Sequence, residues 1–193
     1  RARMLSNVER SLMDIGTKVE VFPDTGVLRL PEELLFPSGS AELYPAARDD
    51  LAFLGHYLRQ ILPCYATAPA GTETGQCAPD PGGRLEVVMI EGHTDDRPLR
   101  DGARFRNNWE LSAARAISVF QALVREGEVL PNLKNDRGDR LIAVSGYGDN
   151  RPIADNETPE GRSKNRRIDF RFIMSTPDVR PQDAVEEALR PVR

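Results

Sequence analysis

The sequence predicts an α/β sandwich of the α+β kind, in which one mixed β-sheet is covered on one side by two main helices. Apolar runs rich in β-branched residues, typical of buried strands, alternate with stretches whose apolar residues recur at helical spacing. The last predicted strand, residues 167–174, alternates between core-facing residues and mostly charged ones, so one face should lie on the core. Such an order of elements favours a single sheet with helices packed on it.

The composition is that of an ordinary globular protein: 39% of the 193 residues are hydrophobic and 29% are charged. The net charge of -4 disfavours nucleic acid as the main partner, because phosphate binding needs a basic surface. No apolar run approaches the roughly 20 residues that span a bilayer, and no secretory signal is evident. Because the sequence begins with Arg1 rather than Met, we expect a fragment of a longer protein, in which an upstream membrane anchor is compatible with the sequence.

The N-terminal part is predicted to contain a short helix and a hairpin. Residues 2–15 carry an apolar stripe on a helix that is too short to be stable without a packing partner. Residues 18–30 contain two alternating segments around Pro23-Asp24-Thr25-Gly26, which is typical of a turn. A longer helix is predicted over residues 45–62, where leucines form one stripe and Pro45 occupies the first turn.

Cys64 and Cys77 lie in a segment rich in Pro, Gly and Thr between two apolar segments. Two cysteines without a histidine close in sequence are too few for a zinc site. We expect them to form a disulfide that closes the loop, which indicates an oxidising compartment. The alternative is a pair of free thiols in a cytosolic protein.

The middle of the chain is predicted to be a strand, a polar loop and a helix. Residues 87–90 are typical of a buried strand, and Asn107 with Glu110 is typical of a helix start with a capping box. Asp95 then lies just past the strand and Arg115 about two turns into the helix, so the two can face each other across the loop. The apolar spacing predicts that the buried helix face consists of Ala113, Ala116, Ile117, Phe120, Leu123 and Val124.

The C-terminal part is predicted to add two strands and a short helix. Residues 141–144 form an apolar run, and Thr158 can cap a helix whose first residue is Pro159. The strand over residues 167–174 follows this helix. Residues 176–193 are rich in proline and charge, and we expect a polar tail there.

Two blocks of motifs carry a resemblance to a known family. The first contains Ile90-Glu91-Gly92-His93-Thr94-Asp95 and residues 108–116, and the second contains Gly146-Tyr147-Gly148 and residues 161–168. These blocks resemble the OmpA-like peptidoglycan-binding domain. The first block is similar to that of the flagellar stator B subunit (MotB-like), and also to that of the stator-like B subunit of the Zorya antiphage system. The resemblance covers residues 33–175, which leaves residues 1–32 as an N-terminal linker helix and hairpin.

The resemblance implies a non-catalytic anchor that holds a stator complex to the cell wall. It implies a periplasmic domain of an inner-membrane protein, which binds peptidoglycan through the diamino acid of the stem peptide. The implied protein partners are a second copy of the chain, since stator B subunits work in pairs, and the membrane motor A subunit, reached through the upstream anchor. No cofactor, metal or nucleic acid is implied.

The resemblance also implies a ligand site centred on Asp95 and Arg115. The free end of the diamino acid is a zwitterion, so Arg115 would bind its carboxylate with two parallel hydrogen bonds and Asp95 would accept from its ammonium. The alternative is that these two residues only form a salt bridge between loop and helix. The other expected ligand residues are Thr94, Asn108, Leu111, Arg162 and Asn165, of which the last two hold either the ligand or a loop.

Several further interpretations are weighed against this one. His93 beside Asp95 and Asp96 invites a metal site, but one histidine with carboxylates is a poor transition-metal set. Trp109 is predicted to pack in the core rather than to stack on a sugar. A peptidoglycan-modifying enzyme would need a metal or a cysteine nucleophile, and the cysteines lie outside the motifs. A structural domain that has lost its ligand is disfavoured by the presence of Asp95 and Arg115.

Overall fold

The structure is a computed structural model of the chain, and it describes Leu5 and residues 19–72, 77, 83–125 and 129–176. The predicted helix over residues 2–15, apart from Leu5, and nearly all of the predicted tail lie outside the described residues. In the described part, no helix combines the length and apolarity that crossing a membrane requires. The elements are β1 (Glu20–Phe22), β2 (Val27–Pro31), α1 (Glu32–Leu35), α2 (Pro45–Ile61), β3 (Leu85–His93), α3 (Asn108–Val124), α4 (Val129–Asn132), β4 (Ile142–Gly146), α5 (Pro159–Asn165) and β5 (Arg167–Met174).

The five strands form one mixed sheet in the order β1-β2-β5-β3-β4, which confirms the predicted fold class. Only β3 and β4 are parallel, and the other neighbours are antiparallel. The hairpin of β1 and β2 belongs to this sheet because β2 pairs with β5 along its whole length, from Val27 opposite Arg171 to Pro31 opposite Arg167. The sheet therefore extends to the N-terminal side of residue 33, and α1 begins directly where β2 ends.

The alternation predicted for the last strand separates the two faces of the sheet. Ile168, Phe170 and Phe172 are buried in the hydrophobic core, together with leucines of α2 and apolar residues of α3. Arg167 and Asp169 lie on the opposite face and are also buried. Burial of the first face stabilises the fold by the hydrophobic effect, whereas the second face depends on ion pairs.

Two glycines allow α3 to lie unusually close to the sheet. Gly92 of β3 lies opposite Gly146 of β4 in the parallel pairing. A Cβ on Gly92 would lie 2.1 Å from the carbonyl oxygen of Ser112, and one on Gly146 would lie 2.4 Å from the backbone nitrogen of Ala113. Backbone therefore packs on backbone here, which places the first half of α3 directly over the carboxyl end of β3.

The N-cap of α3 is as predicted, but the Glu110 side chain accepts from the backbone N–H of Arg106 (2.9 Å) rather than from that of Asn107, and the buried face differs in part from the prediction. The side chain of Asn107 accepts a hydrogen bond from the Glu110 backbone N–H (2.9 Å), as expected of an N-cap. Ile117, predicted to be buried, is 44% exposed, and Trp109, predicted to lie in the core, is 51% exposed. Of the other predicted residues, Ala116 and Leu123 are buried, and Phe120 and Val124 are partly buried and pack against the core. The apolar spacing missed that the buried stripe also includes two polar residues, Ser112 and Arg115. The buried residues of the helix are Leu111, Ser112, Arg115, Ala116, Val119, Ala122 and Leu123.

Cys64 and Cys77 are bonded to each other, as predicted from their setting in the chain, and they are the only cysteines of the sequence. The residues after Cys64 are tied to the rest of the fold, because Tyr65 accepts a hydrogen bond from Leu85 and Thr67 pairs with Lys134. The disulfide thus closes a loop that leads directly into β3.

Candidate ligand-binding site

A cavity of about 860 Å³ opens at the carboxyl end of β3. It is lined by α1 with the residues that follow it and by the loop over residues 97–104. Its lining also includes Thr94 and Asp95, just after β3, and residues of the first two turns of α3. The cavity lies at this position because the paired glycines bring α3 onto the end of β3.

Five of the seven ligand residues expected from the sequence line this cavity: Thr94, Asp95, Asn108, Leu111 and Arg115. The structure does not bring Arg162 and Asn165 to it. The side-chain oxygen of Asn165 accepts hydrogen bonds from the backbone of Ile153 (2.7 Å) and Ala154 (3.0 Å). Arg162 donates to the carbonyl of Asn156. Both therefore hold the loop that precedes α5, which is the second of the two roles considered for them.

The alternative role for Asp95 and Arg115 was a salt bridge between them that ties the loop to the helix. They do not form it, because each is paired with a different residue. Arg115 Nη2 lies 2.8 Å from Glu32 Oε1. Arg166 Nη1 lies 2.7 Å from Asp95 Oδ2, and Arg166 Nε lies 3.7 Å from Glu32 Oε2. The cavity thus contains a row of alternating charges in the order Arg115, Glu32, Arg166, Asp95. The sequence analysis did not identify Glu32 and Arg166 as site residues.

Arg115 lies deepest in this row, with 2% of its surface exposed. Its Nε donates a hydrogen bond to the carbonyl oxygen of Ser40 (2.8 Å), and its guanidinium lies 5.2 Å from the ring centre of Phe36. Burial lowers the pKa of Arg115, and the nearby Glu32 carboxylate opposes this change. Burial raises the pKa of Glu32, although Arg115 and Arg166 act in the opposite direction.

Asp95 is held by the loop in which it lies. Its Oδ1 accepts a hydrogen bond from the backbone N–H of Arg97 (3.1 Å). Asn108 Nδ2 donates to the carbonyl oxygens of Asp95 (3.2 Å) and Arg97 (3.0 Å), which ties the loop to the first turn of α3. The carboxylate of Asp95 is therefore positioned before any ligand arrives.

Several buried polar atoms of the cavity lack a hydrogen-bond partner among the described residues. They are Glu32 Oε2, Thr94 Oγ1 and Arg115 Nη2, whose contact with Glu32 is close but not aligned for a hydrogen bond. A buried polar group without a partner costs about 1–3 kcal/mol, so native proteins contain few of them. Their concentration around one cavity is typical of a site for a polar ligand.

A second charged cluster lies on the opposite face of the sheet. The side chains of Glu91, His93 and Asp169 each offer one possible metal-ligand atom, and these atoms lie within 4.8 Å of one another. This group is not the one that the sequence suggested, which was His93 with Asp95 and Asp96. Burial acts to raise the pKa of Glu91, but contacts with His93 and an arginine lower it to about 2. The guanidiniums of Arg29, Arg167 and Arg171 already neutralise the two carboxylates. The cluster therefore does not fit a divalent cation.

Residues 75–166 match the OmpA family. The chain is 39% identical over 86 residues to motility protein B of Bacillus subtilis, covering 45% of this chain and 30% of that protein. Among solved structures, it resembles a MotB-like protein of Desulfovibrio vulgaris (27% identity, TM-score 0.65, 90% of this chain and 94% of that one). It also resembles the periplasmic domain of Helicobacter pylori MotB (25% identity, TM-score 0.61, 90% and 92%). The chain spans about half the length, or less, of the first curated relatives that it matches.

Proposed function

Because the chain carries an OmpA-like domain of the motility protein B type, we propose that it is a non-catalytic anchor that binds peptidoglycan. In the whole protein this domain holds a membrane stator complex to the cell wall. The observation that carries the proposal is the cavity at the end of β3, where the anion Asp95 lies beside the cations Arg115 and Arg166. A pair of opposite charges at fixed separation fits a zwitterion.

The ligand is the zwitterionic end of the diamino acid in the peptidoglycan stem peptide. Asp95 accepts hydrogen bonds from its ammonium, and the guanidiniums bind its carboxylate, since arginine matches a carboxylate with two parallel N–H donors. Arg166 is the more accessible cation, with 32% of its side chain exposed, whereas Arg115 is buried. The carboxylate therefore meets Arg166 first, and the buried charge of Arg115 adds to the attraction.

The alternative of a peptidoglycan-modifying enzyme fits the described residues less well. Cys64 and Cys77 are bonded to each other, so neither is a free nucleophile. His93 is buried beside Glu91 and Asp169 on the opposite face of the sheet, away from the cavity. The buried titratable groups that line the cavity, Glu32, Asp95 and Arg115, are in ion pairs, which suit binding rather than proton transfer.

The proposed setting is the periplasm, with the chain as a domain of an inner-membrane protein whose anchor contacts a motor A subunit. The disulfide Cys64–Cys77 supports an oxidising compartment. Two stator systems fit the proposal, the flagellar type and the Zorya antiphage type. Flagellar or chemotaxis genes beside the gene would assign it to the first, and helicase or nuclease defence genes would assign it to the second.

We expect the chain to form a homodimer, because the stator B subunits that it resembles work in pairs. Light scattering at micromolar concentration should give twice the chain mass of 21.5 kDa. A mass of 21.5 kDa over the whole concentration range would contradict this expectation.

Replacement of Asp95 by asparagine should abolish co-sedimentation with purified peptidoglycan while the fold remains intact. The asparagine side chain keeps an oxygen for the Arg97 N–H but loses the charge that the ligand ammonium requires. Removing one partner of a buried charge pair costs about 2–5 kcal/mol of binding, which is a loss of roughly 30-fold or more. The binding of the unmodified protein should also weaken at high salt, because the attraction is electrostatic.

Asp96→Asn is the matched control, because Asp96 is the exposed neighbour and does not line the cavity. Thermal melting of both variants establishes that each is folded. An Asp95→Asn protein that is folded and pellets with peptidoglycan as well as the Asp96→Asn protein would refute the proposed site.

A further inference from the structure

Glu32 is a member of the cavity that none of the sequence motifs includes. It is the first residue of α1, and its burial follows from the pairing of β2 with β5, which places the start of α1 beside the end of α5. The backbone N–H of Glu32 donates to the carbonyl of Arg166 (3.1 Å), so the two residues are also joined through the main chain. The Glu32 carboxylate lies between the guanidiniums of Arg115 and Arg166.

We infer that Glu32 determines the specificity of this cavity by matching its charge to a zwitterion rather than to a simple carboxylate. The inference rests on the proposed function, since it concerns the same ligand. The row of ion pairs contains two guanidiniums and two carboxylates, so its formal charges cancel. A zwitterionic ligand preserves that balance, whereas a ligand with a carboxylate and no ammonium leaves one unbalanced negative charge.

The balance matters because these charges are poorly screened. Glu32 is buried, and its Oε2 has no hydrogen-bond partner among the described residues. Charges removed from water interact more strongly than exposed ones, and salt screens them less. Without the charge of Glu32, the row of ion pairs carries one excess positive charge, which favours the simple carboxylate and repels the ammonium.

Lowering the pH should have the same effect as removing the charge of Glu32, because protonation neutralises its carboxylate. Burial raises the pKa of Glu32, and the charged groups that face it are Arg115 of α3, Arg166 at the end of α5 and Asp95 after β3. Protonation of Glu32 therefore begins at a higher pH than for an exposed glutamate. The preference for the zwitterion should be present at neutral pH and should decline as the pH falls toward 5, where carboxyl groups of ordinary pKa remain charged.

The test compares Glu32→Gln with Glu42→Gln, which removes the same charge from an exposed glutamate that does not line the cavity. Two soluble stem peptides are titrated by calorimetry: one ends in diaminopimelate with its free zwitterion, and the other has the side-chain amine acetylated. The unmodified protein and Glu42→Gln should prefer the free amine. In Glu32→Gln this preference should fall by about 10-fold or more, since one unit of charge is lost from a poorly screened site.

A purely structural role of Glu32 would weaken the binding of both peptides equally, and that result would overturn the inference while leaving the proposed function intact. Failure of the unmodified protein to bind either peptide would overturn the proposed function, and the inference with it. If Glu32→Gln does not fold, the ratio of the two affinities in the unmodified protein is measured between pH 7.5 and 5. A ratio that does not change with pH would then overturn the inference.

Discussion

Replacement of Arg115 by alanine is expected to destabilise the domain by about 3–5 kcal/mol, the cost of breaking a buried ion pair by removing one partner. The variant would leave Glu32 buried, with Arg166 Nε at 3.7 Å as its remaining cation. It would also remove the hydrogen bond to Ser40 and the contact with the Phe36 ring. Urea unfolding measures the loss. Ligand binding should disappear as well, but only the folded fraction of the variant is informative about it.

The matched control is Arg48→Ala, because Arg48 is also a helical arginine paired with a glutamate, Glu42, but at the surface. Exposed pairs contribute about 0–1 kcal/mol, so this variant should be close to the unmodified protein. The combination Arg115→Met with Glu32→Leu should regain most of the stability, because neither charge is then left unpaired. If Arg115→Ala were no less stable than Arg48→Ala, the buried ion pair would not have the structural role assigned to it.

The loss of stability caused by Arg115→Ala should be smaller at low pH than at neutral pH. Without Arg115 the pKa of Glu32 rises further above its value in the unfolded chain, so the folded state binds the proton more tightly than the unfolded state does. The free energy of unfolding of the variant therefore falls as the pH rises from the pKa of Glu32 in the unfolded chain to its pKa in the folded state. It recovers as the pH falls. Unfolding curves at pH 7.5 and pH 5 give this difference directly.

Replacement of Gly92 by alanine is expected to have the second large effect, a loss on the order of 3 kcal/mol, at the upper end of the range for overpacking. The added Cβ would lie 2.1 Å from the carbonyl oxygen of Ser112, a backbone atom that can yield only if α3 moves. Since α3 carries Asn108, Leu111 and Arg115, that movement would also displace one side of the cavity. Thermal denaturation and peptidoglycan co-sedimentation measure the two consequences.

Gly102→Ala separates this clash from the general cost of replacing a glycine. Gly102 has a positive φ of 76° and open space around it, so alanine there meets only backbone strain of about 1–2 kcal/mol. It lies in the loop that lines the cavity, outside the contact of α3 with the sheet. Equal destabilisation by the two substitutions would show that the close approach of helix and sheet is not the cause.

The sequence by itself determined those features that depend on neighbouring residues. The N-caps at Asn107 and Thr158 form as predicted because a side chain and a backbone N–H three residues later suffice for them. The strand over residues 167–174 and the helix that begins at Pro45 follow from local periodicity and from proline geometry. The position of Asp95 just past a strand followed from the same local pattern, and the family resemblance added the expected role of Asp95 and Arg115 as ligand residues.

Only the tertiary structure decided which charges meet. Arg115 is paired with Glu32 of α1 rather than with Asp95, and Arg166 rather than Arg162 or Asn165 reaches the cavity. The physical reason is that such pairs join segments far apart in the chain, which the pairing of β5 with both β2 and β3 brings together. The burial of Arg115 in α3 was missed for the same reason: apolar periodicity does not count a buried arginine, because its burial is stabilised only by a counter-charge from another element.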